Sequence, residues 1–224
     1  MSATLLARWV GAAALSTCGL LSGPLPMAAA AETCPDVEVV FARGTTEAPG
    51  VGGIGQAFVN AVRSHVGTQS VGVYAVDYPA SSDFPTGIVG IRNAGAHIES
   101  MAAGCPNTKM VLGGYSQGAA VMGFVTENVV PDGVGPDAPT PMPAEVADHV
   151  AAVALFGKPS PRFMNAVGEP PVTIGPLYAA KTTDLCITGD PVCSDGGEMN
   201  MLFHGQYEPA GLVDQAAKYV ASRV

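Results

Sequence analysis

Four short apolar runs recur along the chain, each too brief for an ordinary helix and too continuous for a strand with one wet face. Val37–Arg43, Val71–Asp77, Met110–Gly114 and Val150–Phe156 read as strands, and the more polar Lys181–Cys186 as a short fifth. Near-unbroken apolar character is what a strand shows when both faces of its sheet are covered. The intervening segments carry apolar residues at helical spacing instead. Phe58, Val59, Val62 and Val66 do so within 54–66, and Ile88, Ile91, Ala94, Ala96 and Ile98 within 86–103. Leu212, Ala216, Tyr219 and Val220 share one face of a closing helix over 208–224, and another helix is expected directly after the third run, to about Asn128. Strands alternating with helices predict the α/β class: a five-stranded parallel sheet covered on both sides. The segment 130–143, with five prolines, reads as an irregular surface excursion. No repeat or linker divides the pattern. In such sheets chemistry sits at the carboxyl ends of the strands.

Residues 1–31 follow a different pattern. Arg8 precedes an apolar run from Trp9 to Leu21, Gly23-Pro24-Leu25-Pro26 breaks it, and Ala28–Ala31 offers a small-residue processing site. That is the layout of a secretory signal peptide, cleaved after Ala30 or Ala31. The run is short for a membrane span and lacks a charged stop. Thr17 before Cys18 fits a lipid-modified cysteine poorly. The expected product is one secreted, extracellular or cell-wall domain, 32–224.

That domain keeps all 19 acidic residues and nine of the ten basic ones, a net charge of −10. No basic cluster exists to neutralise phosphates, so nucleic acid is not an expected partner. Cys34, Cys105, Cys186 and Cys193 remain after processing. An even number in an exported chain implies two disulfides, with three possible pairings. Cys186–Cys193, closing a short loop, and Cys34–Cys105, pinning the mature N-terminus to a helix end, are favoured. With no C-x-x-C or H-x-x-x-H spacing, no metal site is expected.

The third strand runs into Gly114-Tyr115-Ser116-Gln117-Gly118, which fits G-x-S-x-G, the strand-to-helix turn that presents a nucleophilic serine. A side chain at either glycine is expected to collide across so tight a turn. A serine hydroxyl needs an imidazole to take its proton and a carboxylate to orient that imidazole. Of four histidines, His65 and His97 precede the serine within helices, and His149 enters the fourth strand too early. His204 remains, expected in a loop before the last helix. Among Asp132, Asp137, Asp148, Asp184, Asp190 and Asp195, Asp190 is best placed, past the fifth strand and inside the Cys186–Cys193 loop. The competing reading of Gly189-Asp190-Pro191 is a plain turn. Oxyanion donors are expected at the Gln117 N–H and at Thr45, through its N–H and hydroxyl; the alternative for Thr45 is a capping residue.

Four stretches together resemble the cutinase family, closest to actinobacterial secreted cutinase-like esterases. They are Ala42-Arg43-Gly44-Thr45-Thr46-Glu47, Gly113-Gly114-Tyr115-Ser116-Gln117-Gly118-Ala119, Cys186-x-x-Gly189-Asp190-x-Val192-Cys193, and His204 ahead of the last helix. The resemblance covers essentially all of 32–224. It implies a small three-layer αβα hydrolase of the α/β-hydrolase type without cofactor. Ser116, Asp190 and His204 would form its triad and Thr45 and Gln117 its oxyanion hole, with disulfides Cys34–Cys105 and Cys186–Cys193. Thr45 stands where fungal members carry serine, and Met199–Phe203 differs from their apolar loop. The expected activity is hydrolysis of short- to medium-chain or lipid-like esters, cutin-like polyesters being one such class, by a monomer in transient contact with lipid or cell wall. Acyl transfer or polysaccharide deacetylation would use the same residues, and a non-catalytic surface protein is the reading from another class. Met199, Met201, Leu202 and Phe203 are candidates to line the cleft and accept an acyl chain; the alternative is that they pack as core beneath the loop.

Overall fold

Val37–Ala42 (β1) is buried along its whole length and carries the sheet's other strands on both edges. In the computed structural model, which describes residues 34–130, 138–196 and 200–224, five parallel strands run in the order β2-β1-β3-β4-β5. The others are β2 (Val71–Ala75), β3 (Lys109–Tyr115), β4 (Val150–Phe156) and β5 (Thr182–Leu185). The expected signal peptide, part of the proline-rich excursion, Asp132, Asp137 and Met199 lie outside the described residues.

Side-chain alternation along the strands builds two cores and hence three layers. Val40, Leu112, Val153 and Leu155 face α2 (Gly87–Gly104) and α3 (Gln117–Val125). Val39, Phe41, Val111 and Phe156 face α1 (Gly52–His65) and the closing helix, Leu212–Ala221. Phe41, Phe58 and Phe156 pack ring against ring at the centre of that second layer.

The chain leaves β1 toward β2 on one side and later returns to β3 on the other. That reversal opens a crevice beyond the carboxyl ends of β1 and β3, where an open α/β sheet presents a site. Cys34 bridges Cys105 just past α2, with Cα atoms 5.5 Å apart, and Cys186 bridges Cys193 just past β5, at 5.8 Å.

Three short helices are absent from the sequence pattern: α4 (Pro161–Val167), α5 (Pro176–Ala179) and α6 (Met201–His204). None is long enough for a 3.6-residue period to show. α4 did carry a start signal, since Ser160 accepts from the Phe163 N–H and Pro161 opens the helix. The closing helix, numbered α7, begins at Leu212 and not at Glu208, because Gly211 takes a left-handed conformation at its start. Its buried face is Val213, Ala216, Ala217 and Val220, one residue out of the expected register at Leu212 and Tyr219.

The two disulfides close loops of very different length, 71 and 7 residues of separation. Loop-closure entropy then assigns about 4 kcal/mol to the long bridge and about 2.5 kcal/mol to the short one. Cys34→Ser with Cys105→Ser is expected to lower the urea unfolding free energy more than Cys186→Ser with Cys193→Ser; the reverse order would contradict this account.

Candidate active site

Ser116 joins β3 to α3 with φ 55° and ψ −120°, a conformation that costs of order 1–3 kcal/mol for a residue with a side chain. Its surroundings hold it there. The Ser116 N–H donates to the Phe156 carbonyl of β4 at 2.9 Å. A Cβ on Gly114 would overlap the Gly118 carbonyl, as expected across the turn. One on Gly118 would instead strike the Ala42 and Arg43 carbonyls at the end of β1. The second glycine is therefore required by the neighbouring strand.

The imidazole of His204 lies between Ser116 and Asp190. Its Nε2 is 2.8 Å from Ser116 Oγ, and its Nδ1 is 2.8 Å from Asp190 Oδ2. Asp190 is completely buried and His204 nearly so. An ionised carboxylate only accepts, so Nδ1 carries the proton and donates; Nε2 is left bare to accept from the serine hydroxyl. Asp190 also accepts from the Val192 N–H at 2.9 Å, on Oδ1, and from the Tyr207 hydroxyl at 2.5 Å, on Oδ2. Burial alone would raise the Asp190 carboxyl. The hydrogen bonds from His204, Tyr207 and Val192 outweigh it and hold the group below the ordinary carboxylate range. Burial first, then its bond to Asp190, drives the Tyr207 phenol far above its usual value, so it remains a donor.

Tyr207 and Tyr115 were not anticipated from sequence. Tyr115, inside the G-x-S-x-G stretch, donates its hydroxyl to the His204 carbonyl at 2.7 Å and stacks on the imidazole with ring centroids 5.0 Å apart. Tyr207 follows His204 by three residues, a spacing that brings both onto one carboxylate. Gly157, after β4, has φ 61°, and a Cβ there would press on the Tyr207 hydroxyl and the imidazole.

Opposite the imidazole, the loop after β1 brings Thr45 beside Gln117. Thr45 Oγ1 donates to Gln117 Oε1 at 3.3 Å, and Gln117 Nε2 donates to the Ser81 carbonyl at 3.1 Å. The Gln117 N–H is the first of α3 and so has no acceptor within its helix. Glu47 shapes this loop and was also missed: its carboxylate accepts the Gly44 and Gly53 N–H groups at 2.6 and 2.7 Å. Arg43 Nε reaches back to the Glu47 carbonyl at 2.9 Å.

The remaining histidines lie elsewhere. His65 meets Asp214, His97 meets Glu38 and stacks on Tyr74, and His149 contacts the Pro106 carbonyl. Asp184 pairs with Lys158. Among the described residues, no group of three or more His, Cys, Asp or Glu is placed to hold a metal ion. A cleft of about 960 Å³ opens from Ser116 and His204. Met201 lines it, but Leu202 and Phe203 do not. All three are exposed, Leu202 by 73%, so they are not core beneath the loop.

A family profile described as Cutinase matches residues 33–224. The chain is 60% identical over 167 residues to a probable carboxylesterase, Culp5, of Mycobacterium tuberculosis, covering 75% of this chain and 95% of that protein. It is 47% identical over 223 residues to the carboxylesterase Culp1 of Mycobacterium bovis, covering 98% and 96%. Among solved structures, a Trichoderma reesei cutinase in complex with a phosphonate inhibitor superposes with TM-score 0.62 at 34% identity, over 84% of this chain and 76% of that one. The chain belongs to the cutinase family.

The bonds around Asp190 carry a stability prediction. A carboxyl held below its unfolded value stabilises the fold fully above about pH 4, and that contribution is lost as pH falls through the lower folded value. Tyr207→Phe removes one of the donors and is expected to cost about 1–3 kcal/mol at neutral pH. It should also flatten the acid limb of a denaturation series from pH 7 to 3. An acid limb as steep as that of the unsubstituted protein would show that Tyr207 does not hold the carboxylate.

Proposed function

We propose that this esterase cleaves carboxylic esters through an acyl-enzyme on Ser116, with His204 as general base and then acid and Asp190 as its orienting carboxylate. The observation that carries the reading is the unbroken run of two 2.8 Å hydrogen bonds from Ser116 through His204 to Asp190. Ser116 Oγ attacks the ester carbonyl carbon as its proton passes to His204 Nε2. Negative charge develops on the former carbonyl oxygen, where the backbone N–H groups of Gln117 and Thr45 supply donors. Collapse expels the alcohol, which takes the proton from Nε2. Water then gives a proton to the same nitrogen, attacks the acyl carbon, and releases the acid with the serine restored. Throughout, the buried Asp190 carboxylate stabilises the transient imidazolium without accepting its proton.

The site is complete within one chain, which supports a monomer. The net negative charge of the sequence and its lack of a basic cluster support an ester or lipid substrate over nucleic acid. Two disulfides favour an oxidising compartment, in keeping with residues 1–31 as a cleaved secretory leader. Exposed Met201 and Leu202 beside the base are suited to transient contact with lipid or cell wall.

A fluorophosphonate probe tests the core of this reading. The mature protein should be labelled stoichiometrically and Ser116→Ala not at all. Ester hydrolysis should fall by about 10⁴-fold or more in Ser116→Ala and by about 10⁴-fold in Asp190→Asn. A folded, unlabelled wild type would instead favour a surface protein without catalysis.

A further inference from the structure

Glu47 does not line the cleft, yet its polar groups converge on the turn that carries Thr45. Gly44 to Glu47 form a β-turn closed by the Glu47 N–H, which donates to the Gly44 carbonyl at 3.3 Å. Thr46 sits third in it at φ 65°, the left-handed position of a type II turn, and its N–H donates to the Ala80 carbonyl at 2.6 Å. The Glu47 carboxylate reaches back across the same turn. Oε2 accepts the Gly44 N–H at 2.6 Å, and Oε1 accepts the Gly53 N–H, in the first turn of α1, at 2.7 Å. Val51, at the N-cap of α1, offers no side-chain acceptor, and no acidic residue lies in the helix's first turn. Glu47 therefore supplies the acceptor and the negative charge that a helix N-terminus favours. A Cβ on Gly52 would run into this carboxylate, so the entry to α1 is shaped to admit it.

The Gly44–Thr45 peptide is trans, so its carbonyl and its N–H point in opposite directions. With the Gly44 carbonyl turned toward the Glu47 N–H, the Thr45 N–H is aimed the other way, and among the described residues it has no acceptor. Thr45 lines the cleft beside Ser116 and Gln117. We propose that Glu47 is a positioning residue for the oxyanion hole: its carboxylate ties this peptide to α1 and so fixes the direction in which the Thr45 N–H meets the developing oxyanion. The proposal rests on the acyl-enzyme reading above and deepens it. Glu47 acts through Gly44 and Thr45 and not on the reacting atoms. An oxyanion hole gains its effect from donors already in place when charge develops, and a displacement of about 1 Å costs on the order of 100-fold in rate. A turn hung from β1 alone could pivot about Gly44. The second tether, to a 14-residue helix packed on the sheet through Phe58, removes that freedom.

Glu47→Gln tests this. Its amide has one acceptor oxygen where the carboxylate has two, so it serves only one of the Gly44 and Gly53 N–H groups and turns an N–H toward the other. With p-nitrophenyl butanoate, kcat is expected to fall about tenfold or more while KM stays within about twofold, because the lost interaction acts in the transition state. Propyl trifluoromethyl ketone, whose adduct with Ser116 carries an oxyanion, is expected to bind more weakly by a similar factor. The acid limb of the pH–rate profile should not move, since His204 and Asp190 keep their partners. A folded Glu47→Gln with the wild-type kcat and ketone affinity would overturn the proposal even if its melting temperature falls, because Glu47 would then serve α1 alone. A lower kcat with unchanged ketone affinity, or a displaced acid limb, would overturn it as well. Should Glu47→Gln not fold, Glu47→Asp takes its place. It keeps the charge but is one methylene too short to span both N–H groups, and a wild-type kcat there would again sink the proposal. An active wild type with unaltered variants removes the role of Glu47 alone; a wild type without hydrolysis or fluorophosphonate labelling removes the acyl-enzyme reading itself.

Discussion

Asp190 is an ionised carboxylate with no exposed surface, and much of the last third of the chain is arranged around that charge. An uncompensated buried carboxylate would cost several kcal/mol. Here donors come from three places: the Val192 N–H within the same turn, the imidazole of His204 on α6, and the hydroxyl of Tyr207 on the way to α7. Satisfying one charge therefore draws a loop, a short helix and the approach to the last helix onto a single point. The turn itself is braced by the Cys186–Cys193 bridge and by Ser194, whose hydroxyl spans the Gly189 N–H and the Ile187 carbonyl.

The serine half of the site obeys a separate constraint. A residue with a side chain is held at positive φ because Gly118 packs against the end of β1, the point where the sheet reverses its winding direction. The loop leaving β1 is itself clamped, with Arg43 donating to the Tyr78 carbonyl and the Tyr78 hydroxyl donating back to the Arg43 carbonyl. Thr45 thus sits on a loop clamped to Tyr78, the fixity that the proposed oxyanion hole requires of its donors.

How much of this was legible in the chain depends on how local each cause is. Four of the strands and the helices α1, α2 and α7 are written in apolar spacing, the G-x-S-x-G turn in its glycines, and α3 in its place directly after that turn. Asp190 and His204 could be singled out because chain order and the cysteine loop left few rivals. The short helices α4, α5 and α6 could not show a period in four to seven residues. Tyr207, Tyr115 and Glu47 act through contacts made only after folding. Tyr207 in particular reads as an ordinary aromatic at the start of a helix until its hydroxyl is seen on Asp190. The apolar stripe of α2 was visible in the sequence. Only the structure shows that Ile88 and Ile91 also line the cleft beside Ser116.

The placement of His204 illustrates why secondary structure alone would not suffice. A single turn of helix has no stability of its own in water. Met201–His204 is held by what surrounds it: Asn200 caps the Leu202 N–H and donates its own N–H to the Gly189 carbonyl, and Tyr115 binds the His204 carbonyl. Within that one turn Met201 and Leu202 point outward while His204 is turned in. The imidazole's position is thus a consequence of side-chain bonds from Asp190, which follows the edge strand β5, and from Tyr115, at the end of the central strand β3. Distance between Ser116 and His204 along the chain is bridged by polar contacts to the buried Asp190 and the half-buried Tyr115, so the geometry that brings the hydroxyl to Nε2 is set by those partners and not by the single helical turn that carries the histidine.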